Sequence, residues 1–589
     1  MEETATLERK EELVVPQTLP KRQRPIFQGK LKIIPLGGLE EIGRNLTAFE
    51  LNDQEIIIVD FGLGFPIFEE MPGIDFTLPN VSYLEKNKEK ILGILITHGH
   101  YDHIGAIPYL IEKIGNPPIY ATPLTKGIIL KRQSDFPNAP KLEIYEIRKD
   151  RYKQLKLGSF VIDYFHVNHN IVDSVGFFIQ TPVGNIMHTG DFKIDFSPIF
   201  DKPAELSRIV KLALRGVRVL MIDSTNADHP GYLISERKVM ETLEEIVKKA
   251  KGRVIAATFA SLLERIQQLI WIAGMYGRRV VIDGYTMRSN VEVAKRLKYL
   301  QYPKGIFIKP EESLRLPPHK VMIICTGSQA EEGSALMRIA NGEHKYFKII
   351  PGDTVIFSSS VVPGNERVVQ ELKDDLAKQG AKIVHYEMMD VHASGHACAE
   401  DIKLFINLVR PEYIMPIHGH YYMMRAMGDL AVSMGIPEHK ILIASNGQVI
   451  EMNPKRVFVT NKRVPAYMIY VDGLGVGDIR EVVLRDRQNL AKDGMMVVIV
   501  TIDSNTGEIV KSPDIISRGF VYLRESQELL SEIREKVNEI VKKHIKFLAG
   551  ESPIIQDEHI RYALKESLAE LVFQKTQRRP LILPVVIKI

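Results

Sequence analysis

The sequence predicts an α/β protein that is divided into several domains, and three observations support this prediction. Short apolar runs rich in Ile and Val end at Gly, Asp or His in the first part of the chain, as buried strands often do. Further along, runs of this kind alternate with amphipathic helices, which is typical of parallel α/β units. At 589 residues, the chain also exceeds what one hydrophobic core usually organises.

The first domain is predicted to begin in residues 29–230, after a mobile arm of residues 1–28 that mixes acidic and basic clusters. Its predicted strands are LKIIPLGG, EIIIVDFG, ILGILITHGH, FVIDYFHVNH, GNIMHTGDF and VRVLMIDST. In four of these strands, a side chain that can bind metal lies at the carboxyl end: Asp60, His98, Asp191 and Asp223. Because loops that project from a sheet commonly carry chemical groups, we expect a functional site there.

Residues 231–390 are predicted to form an inserted α/β domain. SERKVMETLEEIVKKA has the pattern of an amphipathic helix. Strands are predicted at GRVIAATFA, RRVVIDGYT, HKVMIICTGSQ and DTVIFSSS. The segments VHASGHA and YIMPIHGH then return to the His-rich pattern of the first part, so residues 391–475 are expected to complete the first domain.

Residues 476–589 are predicted to form a linker and a separate, small α+β domain. Strands are predicted at MMVVIVTID and GFVYL, and helices at SQELLSEIREKVNEIVKKHIKFL and at residues 560–573. The apolar run LILPVVIKI predicts a final strand.

Composition limits the classes of protein that this chain can belong to. The formal net charge of +4 and the pI of about 8.6 are mildly basic, which permits a nucleic-acid partner without requiring one. Two cysteines, Cys325 and Cys398, are few for a secreted chain of this length. No apolar run approaches the roughly 20 residues that a bilayer span needs. We therefore expect a cytoplasmic protein with no membrane partner.

The segment THGHYDHIG, residues 97–105, carries the strongest functional signal. Four potential ligands follow a buried strand within six positions: His98, His100, Asp102 and His103. Imidazole nitrogens and carboxylate oxygens are ligands that zinc accepts. A loop that leads into a helix can direct His98 and His100 to one metal. Asp102 and His103 then face a second metal.

One loop cannot complete two coordination shells, so other segments must supply ligands. Three candidates share a position at strand ends: His169 after FVIDYFHV, Asp191 in HTGDF and His418 in PIHGH. Asp191 is the expected bridge, because a carboxylate has two oxygens and two catalytic metals lie about 3.5 to 4 Å apart. His166 and His188 are nearby alternatives to His169.

These motifs, with RNLTAFE, TGSQAEEGSALMRIA, SSSVVPGNE and SRGFVYLRES, closely resemble the bacterial ribonuclease J family, in the β-CASP branch of the metallo-β-lactamase superfamily. The resemblance covers nearly everything after the arm. It implies a metallo-β-lactamase αββα sandwich with an inserted α/β β-CASP domain and a small C-terminal α+β domain. The chain departs from the family pattern at Tyr101, where an acidic residue is expected, and at Leu263 and Glu264, where a histidine is expected close to Arg265.

The resemblance also implies roles for individual residues. It favours His169 as the ligand, since NHNIVDSVG matches the family segment. Asp60 matches the family's first motif and is expected to orient a metal-bound histidine through that ring's free N–H. His396 is the implied general acid, with Asp223 as its partner or as the alternative proton donor. The implied RNA and 5′-phosphate site consists of His392, Ala393, Ser394, Gly395 and His396.

The expected protein is a ribonuclease that holds two Zn²⁺ ions per subunit, with Mn²⁺ as the alternative metal. It is expected to act 5′ to 3′ on RNA with a 5′ monophosphate, with internal cleavage as a further activity, in mRNA decay and rRNA maturation. The resemblance also implies a homodimer or homotetramer and contacts with other RNA-decay proteins.

Two alternatives remain at this point. One is a two-zinc hydrolase of a small ester, thioester or lactam, although such a substrate needs no inserted domain of about 150 residues. The other is a catalytically silent RNA-binding scaffold subunit, although every expected ligand is present.

Overall fold

A computed structural model of the chain describes residues 29–66, 71–149, 151–362, 364–473, 475–477, 481–520, 526–546 and 553–589. The arm predicted for residues 1–28 lies outside the described residues. Across the described ranges, no helix combines the length and apolar character that crossing a bilayer requires.

Residues 29–230 form most of two sheets and one strand of a third, three-stranded sheet. Their strands are β1 (Leu31–Gly37), β2 (Leu46–Leu51), β3 (Glu55–Val59), β4 (Phe76–Leu78), β5 (Ile91–Leu95), β6 (Ile119–Ala121), β7 (Ile144–Glu146), β8 (Leu155–Leu157), β9 (Phe160–His166), β10 (Val175–Thr181), β11 (Gly184–His188) and β12 (Val219–Asp223). Their helices are α1 (Ser82–Lys86), α2 (Tyr101–Ile104), α3 (Ile107–Leu110), α4 (Pro123–Gln133) and α5 (Leu206–Ala213), with a 3₁₀ turn at Lys88–Lys90.

The chain then forms a separate five-stranded sheet. Its strands are β13 (Val254–Ala257), β14 (Arg279–Asp283), β15 (Val321–Cys325), β16 (Thr354–Phe357) and β17 (Lys382–His385). The helices of this part are α6 (Glu236–Lys249), α7 (Leu263–Met275), α8 (Tyr285–Arg296), α9 (Pro310–Ser313), α10 (Ala335–Ala340) and α11 (Glu366–Lys378), with a 3₁₀ turn at Pro318–Lys320. The strands lie in the order β14-β15-β13-β16-β17, and every pair is parallel, as the alternating pattern predicts.

After this sheet the chain returns to the first two sheets. The returning elements are α12 (Ala399–Val409), β18 (Tyr413–Ile417), α13 (Tyr421–Ser433), a 3₁₀ turn at Glu438–Lys440, β19 (Gln448–Met452) and β20 (Val457–Arg463). Strands β21 (Ile469–Asp472) and β22 (Gly475–Val476) instead form a small three-stranded sheet with β4. Strand β18 pairs in parallel with β12, so the chain leaves the sheet and re-enters it at adjacent positions. The five-stranded sheet is therefore an insertion between neighbouring strands.

The two larger sheets pack face to face between layers of helices. One sheet has the order β20-β19-β1-β2-β3-β5-β6-β7 and the other the order β18-β12-β11-β10-β9-β8. Because successive strand residues point to opposite faces, Phe177 and Met221 lie between the sheets, whereas Phe178 and Leu220 pack against α5, α12 and α13. Helices α1, α3 and α4 cover the outer face of the eight-stranded sheet. This arrangement is the four-layer αββα sandwich.

The C-terminal part is a small α+β unit. It contains α14 (Glu481–Asp493), β23 (Met495–Ile502), β24 (Asp514–Arg518), α15 (Gln527–His544), β25 (Ile545–Lys546), β26 (Ile554–Ile555), α16 (Asp557–Thr576) and β27 (Leu581–Lys588). The strand predicted at GFVYL is wrong for its described residues, since β24 ends at Arg518. Gly519 has a φ of 68°, a left-handed conformation that interrupts a strand. Residues 521–523 of that prediction lie outside the described residues.

Helix α7 fastens the inserted part to the sandwich through a buried carboxyl. Glu264 accepts hydrogen bonds from the backbone N–H groups of Ile199, at 3.1 Å, and Phe200, at 3.4 Å. The ring of Trp271, seven residues further along, packs edge-to-face against the ring of Phe200, with centroids 5.2 Å apart. Burial, together with the nearby carboxylate of Glu236, raises the pKa of Glu264 to about 7.

We expect Glu264→Gln to stabilise the folded protein at high pH. Between about pH 4.5 and 7, the folded chain keeps a proton that the unfolded chain has lost, so the free energy of unfolding falls as pH rises and stays low above that window. Glutamine keeps an acceptor oxygen without the charge. The expected gain is about 2 to 3 kcal/mol near pH 8 and close to zero near pH 4.5.

This change can be followed through Trp271, the single tryptophan of the chain, which reports unfolding of α7 by fluorescence. Glu245→Gln, on the exposed side of α6, is the matched control. An equal change in the free energy of unfolding at pH 4.5 and pH 8 would contradict the raised pKa of Glu264.

Candidate metal centre

The loop after β5 brings four candidate ligands to the carboxyl end of the eight-stranded sheet. His98 is fully buried, His100 caps the amino end of α2, and Asp102 and His103 lie in that single helical turn. The loop is held by Asp60 at the end of the adjacent strand β3, whose Oδ1 accepts the backbone N–H of Thr97 at 2.8 Å. The spacing of HGHYDH therefore places all four side chains at one sheet edge.

Three histidines converge with their ring nitrogens in a first group. His98 Nε2 and His169 Nε2 each lie 3.1 Å from His100 Nδ1. His169 follows β9, in the opposite sheet, so this group spans both sheets of the sandwich. All three ligand atoms lie within 4.8 Å of one another.

A second group combines two carboxylates with two histidines. Asp102 Oδ2 lies 3.4 Å from His103 Nε2 and 3.3 Å from His418 Nε2. Asp191 Oδ2 lies 3.1 Å from His103 Nε2 and 3.7 Å from His418 Nε2. His418 comes from the end of β18, in the six-stranded sheet.

One oxygen joins the two groups. Asp191 Oδ2, already part of the second group, also lies 3.8 Å from His98 Nε2 and 3.8 Å from His169 Nε2. Four ligands held at about 2.0 to 2.1 Å around one zinc ion are separated from each other by about 3.3 Å. The observed separations of 3.1 to 3.8 Å lie around this value, so the donor set is compatible with divalent metal binding.

Four of these five histidines, His98, His103, His169 and His418, have hydrogen-bond partners at Nδ1 that orient their rings. Asp60 Oδ2 lies 2.8 Å from His103 Nδ1, and Thr97 Oγ1 lies 3.0 Å from His98 Nδ1. His169 Nδ1 is 2.7 Å from the carbonyl oxygen of Gly395. Thr225 Oγ1 lies 2.9 Å from His418 Nδ1. Each contact holds the ring with Nε2 directed at the shared centre, as ligand histidines require.

The electrostatics of the site also call for cations. Burial keeps the pKa values of His98 and His169 well below the usual value, and it lowers the pKa of His100 to about 4. These rings are therefore neutral, and each has a nitrogen lone pair that can bind a metal. Burial opposes protonation of His418 as well, yet the carboxylates of Asp191 and Asp102 raise its pKa to about 10. The buried carboxylates therefore demand positive charge, which bound metals supply in place of protons.

The segment HASGHA lies against the same centre. His396 Nδ1 is 2.7 Å from Asp223 Oδ2, at the end of β12, and the His396 ring stacks on His418 with centroids 5.2 Å apart. Ser394 Oγ accepts a hydrogen bond from Asn226 Nδ2 at 2.8 Å. A Cβ atom on Gly395 would lie 2.6 Å from His169 Cε1, so only glycine permits this approach.

His392 occupies the inner end of that segment beside Ala393, and both are buried. Burial, with Arg265 nearby, lowers the pKa of His392 to about 3. Its Nδ1 is buried and has no hydrogen-bond partner among the described residues. The preceding carbonyl, of Val391, accepts from Arg265 Nη1 at 2.6 Å, and Arg265 is itself buried against Glu236.

The matches to known proteins follow the same division of the chain. Residues 42–249 match the metallo-β-lactamase superfamily and residues 251–376 the β-CASP domain of ribonuclease J. Residues 381–441 match the RNA specificity domain of Zn-dependent metallo-hydrolases, and residues 482–589 match the ribonuclease J C-terminal domain. Ribonuclease J 1 of Streptococcus pyogenes is 39% identical over 94% of this chain and 97% of its own length. The chain belongs to the ribonuclease J family.

Other members of the ribonuclease J family match over similar lengths. Ribonuclease J of Thermus thermophilus is 39% identical over 95% of this chain and 96% of its own. Ribonuclease J2 of Bacillus subtilis is 36% identical over 95% of this chain and 99% of its own. A solved structure from Enterococcus faecalis, of a protein of unknown function, shares the fold with a TM-score of 0.51 and 17% identity, over 72% of this chain and all of that one.

As a ribonuclease J family member, the protein is a metal-dependent ribonuclease and binds RNA. The αββα sandwich, the β-CASP domain and the small C-terminal domain that the sequence predicts are confirmed. The alternatives of a small-ester hydrolase and of a catalytically silent scaffold are therefore set aside.

The sequence left three histidines as alternatives for one ligand position in this ribonuclease J fold: His166, His169 and His188. His169 alone among them joins the first group. His166 Nε2 lies 3.0 Å from the carbonyl oxygen of Lys202, in a different cavity of about 440 Å³. His188 Nδ1 accepts the backbone N–H of Gly190 at 3.0 Å.

Sequence reasoning missed three supporting residues. Thr97 and Thr225 orient the candidate ligands His98 and His418, and Asn226 ties HASGHA to the end of β12 by donating to Ser394 Oγ and to the carbonyl oxygen of His396. Thr97 lies next to the predicted ligand His98 in ITHGH, and Thr225 and Asn226 closely follow the predicted Asp223 in MIDSTN. Hydroxyl and amide groups at such positions are the signal that could have identified them.

Proposed function

We propose that this protein hydrolyses 5′-monophosphorylated RNA from its 5′ end, with internal cleavage as a second activity, and uses two Zn²⁺ ions, or two Mn²⁺ ions, per chain. The observation that carries this proposal is the single oxygen of Asp191 that belongs to both ligand groups. The first metal would be held by His98, His100 and His169, and the second by Asp102, His103 and His418. RNA decay and rRNA maturation are the corresponding cellular roles.

When bound, such a metal pair supplies a hydroxide nucleophile near neutral pH and offsets negative charge on the phosphoryl oxygens. His396 donates a proton to the leaving O3′ oxygen from Nε2, because Asp223 already accepts from its Nδ1 at 2.7 Å. Burial opposes ionisation of Asp223, yet the neighbouring His396 and His418 hold its pKa well below the usual value. Asp223 therefore stays a carboxylate and acts as the partner of His396 rather than as a proton donor.

The RNA end would be recognised by residues 392–396. The buried Nδ1 of His392 has no partner among the described residues, so a phosphate oxygen that reached it would satisfy this atom. The Ser394 hydroxyl accepts from Asn226, which leaves its own proton for a phosphate oxygen.

The decisive experiment compares end-labelled RNAs that carry a 5′ monophosphate or a 5′ triphosphate. We expect the wild-type protein to release mononucleotides progressively from the monophosphate substrate alone. The variant Asp102→Ala with His103→Ala should release none, because the second ligand group is destroyed. Mononucleotides released equally from both RNAs would contradict the 5′-end preference, and an active double variant would contradict the metal centre.

We also propose that the chain forms a homodimer or homotetramer through the C-terminal sheet β24-β23-β27. One face of this sheet packs on α15 and α16, whereas the other exposes Ile516, Leu583, Val585 and Ile587. An exposed apolar face of this kind favours a partner, and a second copy offers the same face by twofold symmetry. Other RNA-decay proteins as partners and a cytoplasmic location, in keeping with two unpaired buried cysteines, belong to the same proposal.

Lysines at this face should separate the subunits. We expect Val585→Lys with Ile587→Lys to reduce the mass in solution to that of one chain, because charges would be buried at the interface. Light scattering after size-exclusion chromatography measures the mass. Val368→Lys, an equally exposed valine on α11, is the control. An unchanged oligomer in the double variant would rule out this interface.

A further inference from the structure

We propose that Tyr421 and Tyr422, at the start of α13, stack on RNA bases next to the scissile phosphate, and that Arg425 contacts the RNA backbone one helical turn further on. The inference rests on the proposed metal centre, because its position is defined relative to His418. It assigns a base-binding surface to the ribonuclease.

The fold forces these side chains outward beside the candidate metal ligand. Helix α13 begins three residues after His418, with His420 at its N-cap. Its other face is buried through Met423, Met424 and Met427 in the packing of the sandwich. Tyr421 and Tyr422 are consequently 55% and 57% exposed. Two large aromatic rings that remain in solvent at the rim of an active site call for a partner.

A second chain segment connects the tyrosines to the predicted phosphate site. Thr225 Oγ1 lies 2.9 Å from His418 Nδ1 and donates to the carbonyl oxygen of His418 at 2.9 Å. The next residue, Asn226, donates to Ser394 Oγ and to the carbonyl oxygen of His396. This loop therefore connects the strand end that leads into α13 with HASGHA.

The geometry of the pair suits single-stranded RNA. The rings of His420 and Tyr422 are nearly parallel, at 7° with centroids 6.4 Å apart, which restricts the orientation of Tyr422. Arg425 follows Tyr421 by four residues and so lies on the same helix face. Its ion pair with Asp429 is long, at 3.7 Å, and solvent-exposed, which leaves the guanidinium able to contact phosphate. Aromatic faces stack on any base, whereas arginine neutralises the backbone.

The test measures hydrolysis of a series of 5′-monophosphorylated RNAs in which each position in turn is abasic. For ordinary RNA, we expect Tyr422→Ala and Tyr421→Ala to raise KM by about 5- to 100-fold each with kcat nearly unchanged, while Tyr422→Phe stays within about twofold of wild type. When the abasic position is one that the tyrosines contact, the KM of the wild-type enzyme should rise by a similar factor. The KM of the alanine variants should not rise further on that RNA, because the stacking contact is already absent.

Arg425→Ala gives an independent readout. This substitution should weaken the binding of ordinary and abasic RNA by the same factor. It should also reduce the slope of log affinity against log salt concentration by about one. Tyr562→Ala, an exposed tyrosine on α16, is the matched control and should leave all substrates unchanged.

Three results would overturn the inference: alanine variants that match wild type on ordinary RNA, losses that are equal on every abasic substrate, or variants whose metal content falls below that of wild type. The last result would mean that the tyrosines support the ligand His418 structurally. Failure of the proposed metal centre is distinguishable, because wild-type protein would then itself contain no metal and leave RNA intact.

Discussion

Asp191→Ala is expected to lower the rate of RNA hydrolysis by about a thousandfold or more and to leave the purified protein short of at least one metal ion. The reason is that its Oδ2 lies within 3.8 Å of histidine nitrogens in both candidate ligand groups. Its removal takes a ligand from both sites at once and leaves the remaining donors without the shared oxygen. Elemental analysis by mass spectrometry measures the metals, and labelled RNA measures the rate.

The matched control for this prediction is Asp374→Ala, which removes the same group from the exposed face of α11. It should retain both metals and full activity. If Asp191→Ala kept two metal ions and remained within about tenfold of the wild-type rate, the shared-carboxylate centre would be wrong.

His396→Ala is expected to lower kcat by about 10² to 10⁴-fold without changing the metal content, because general acid catalysis contributes in that range. The His396 side chain is held by Asp223 at 2.7 Å and belongs to neither of the two proposed metal sites. Asp223→Asn should produce a similar loss, and the double variant little more, because the two residues act as a unit.

Leaving-group chemistry separates this role from a structural one. An RNA with a 3′-bridging sulfur at the scissile bond has a leaving group that needs no protonation. His396→Ala should therefore cleave this RNA at nearly the wild-type rate. An equal loss on the oxygen and sulfur substrates would show that His396 does not donate the proton.

Much of the fold follows from patterns of short range. The apolar runs that end at Asp60 and Asp223 become β3 and β12, and the alternating pattern after residue 230 becomes a five-stranded parallel sheet. The strand at GFVYL failed because a single left-handed glycine, Gly519, ends the pairing at Arg518, and an apolar pattern does not reveal that backbone conformation.

The sequence by itself determined which side chains lie at the carboxyl edges of the sheets. His98, His100, Asp102 and His103 all follow one buried strand within eight residues, so they must lie near its end. The tertiary structure alone decided how the distant groups meet. Strand β12 pairs with β11 on one side and with β18 on the other, and this pairing brings Asp191, Asp223 and His418 to one edge. Only the family resemblance of NHNIVDSVG favoured His169 over His166, and no local pattern reveals that one oxygen of Asp191 faces both groups. Such convergence depends on sheet pairing between residues far apart in the chain.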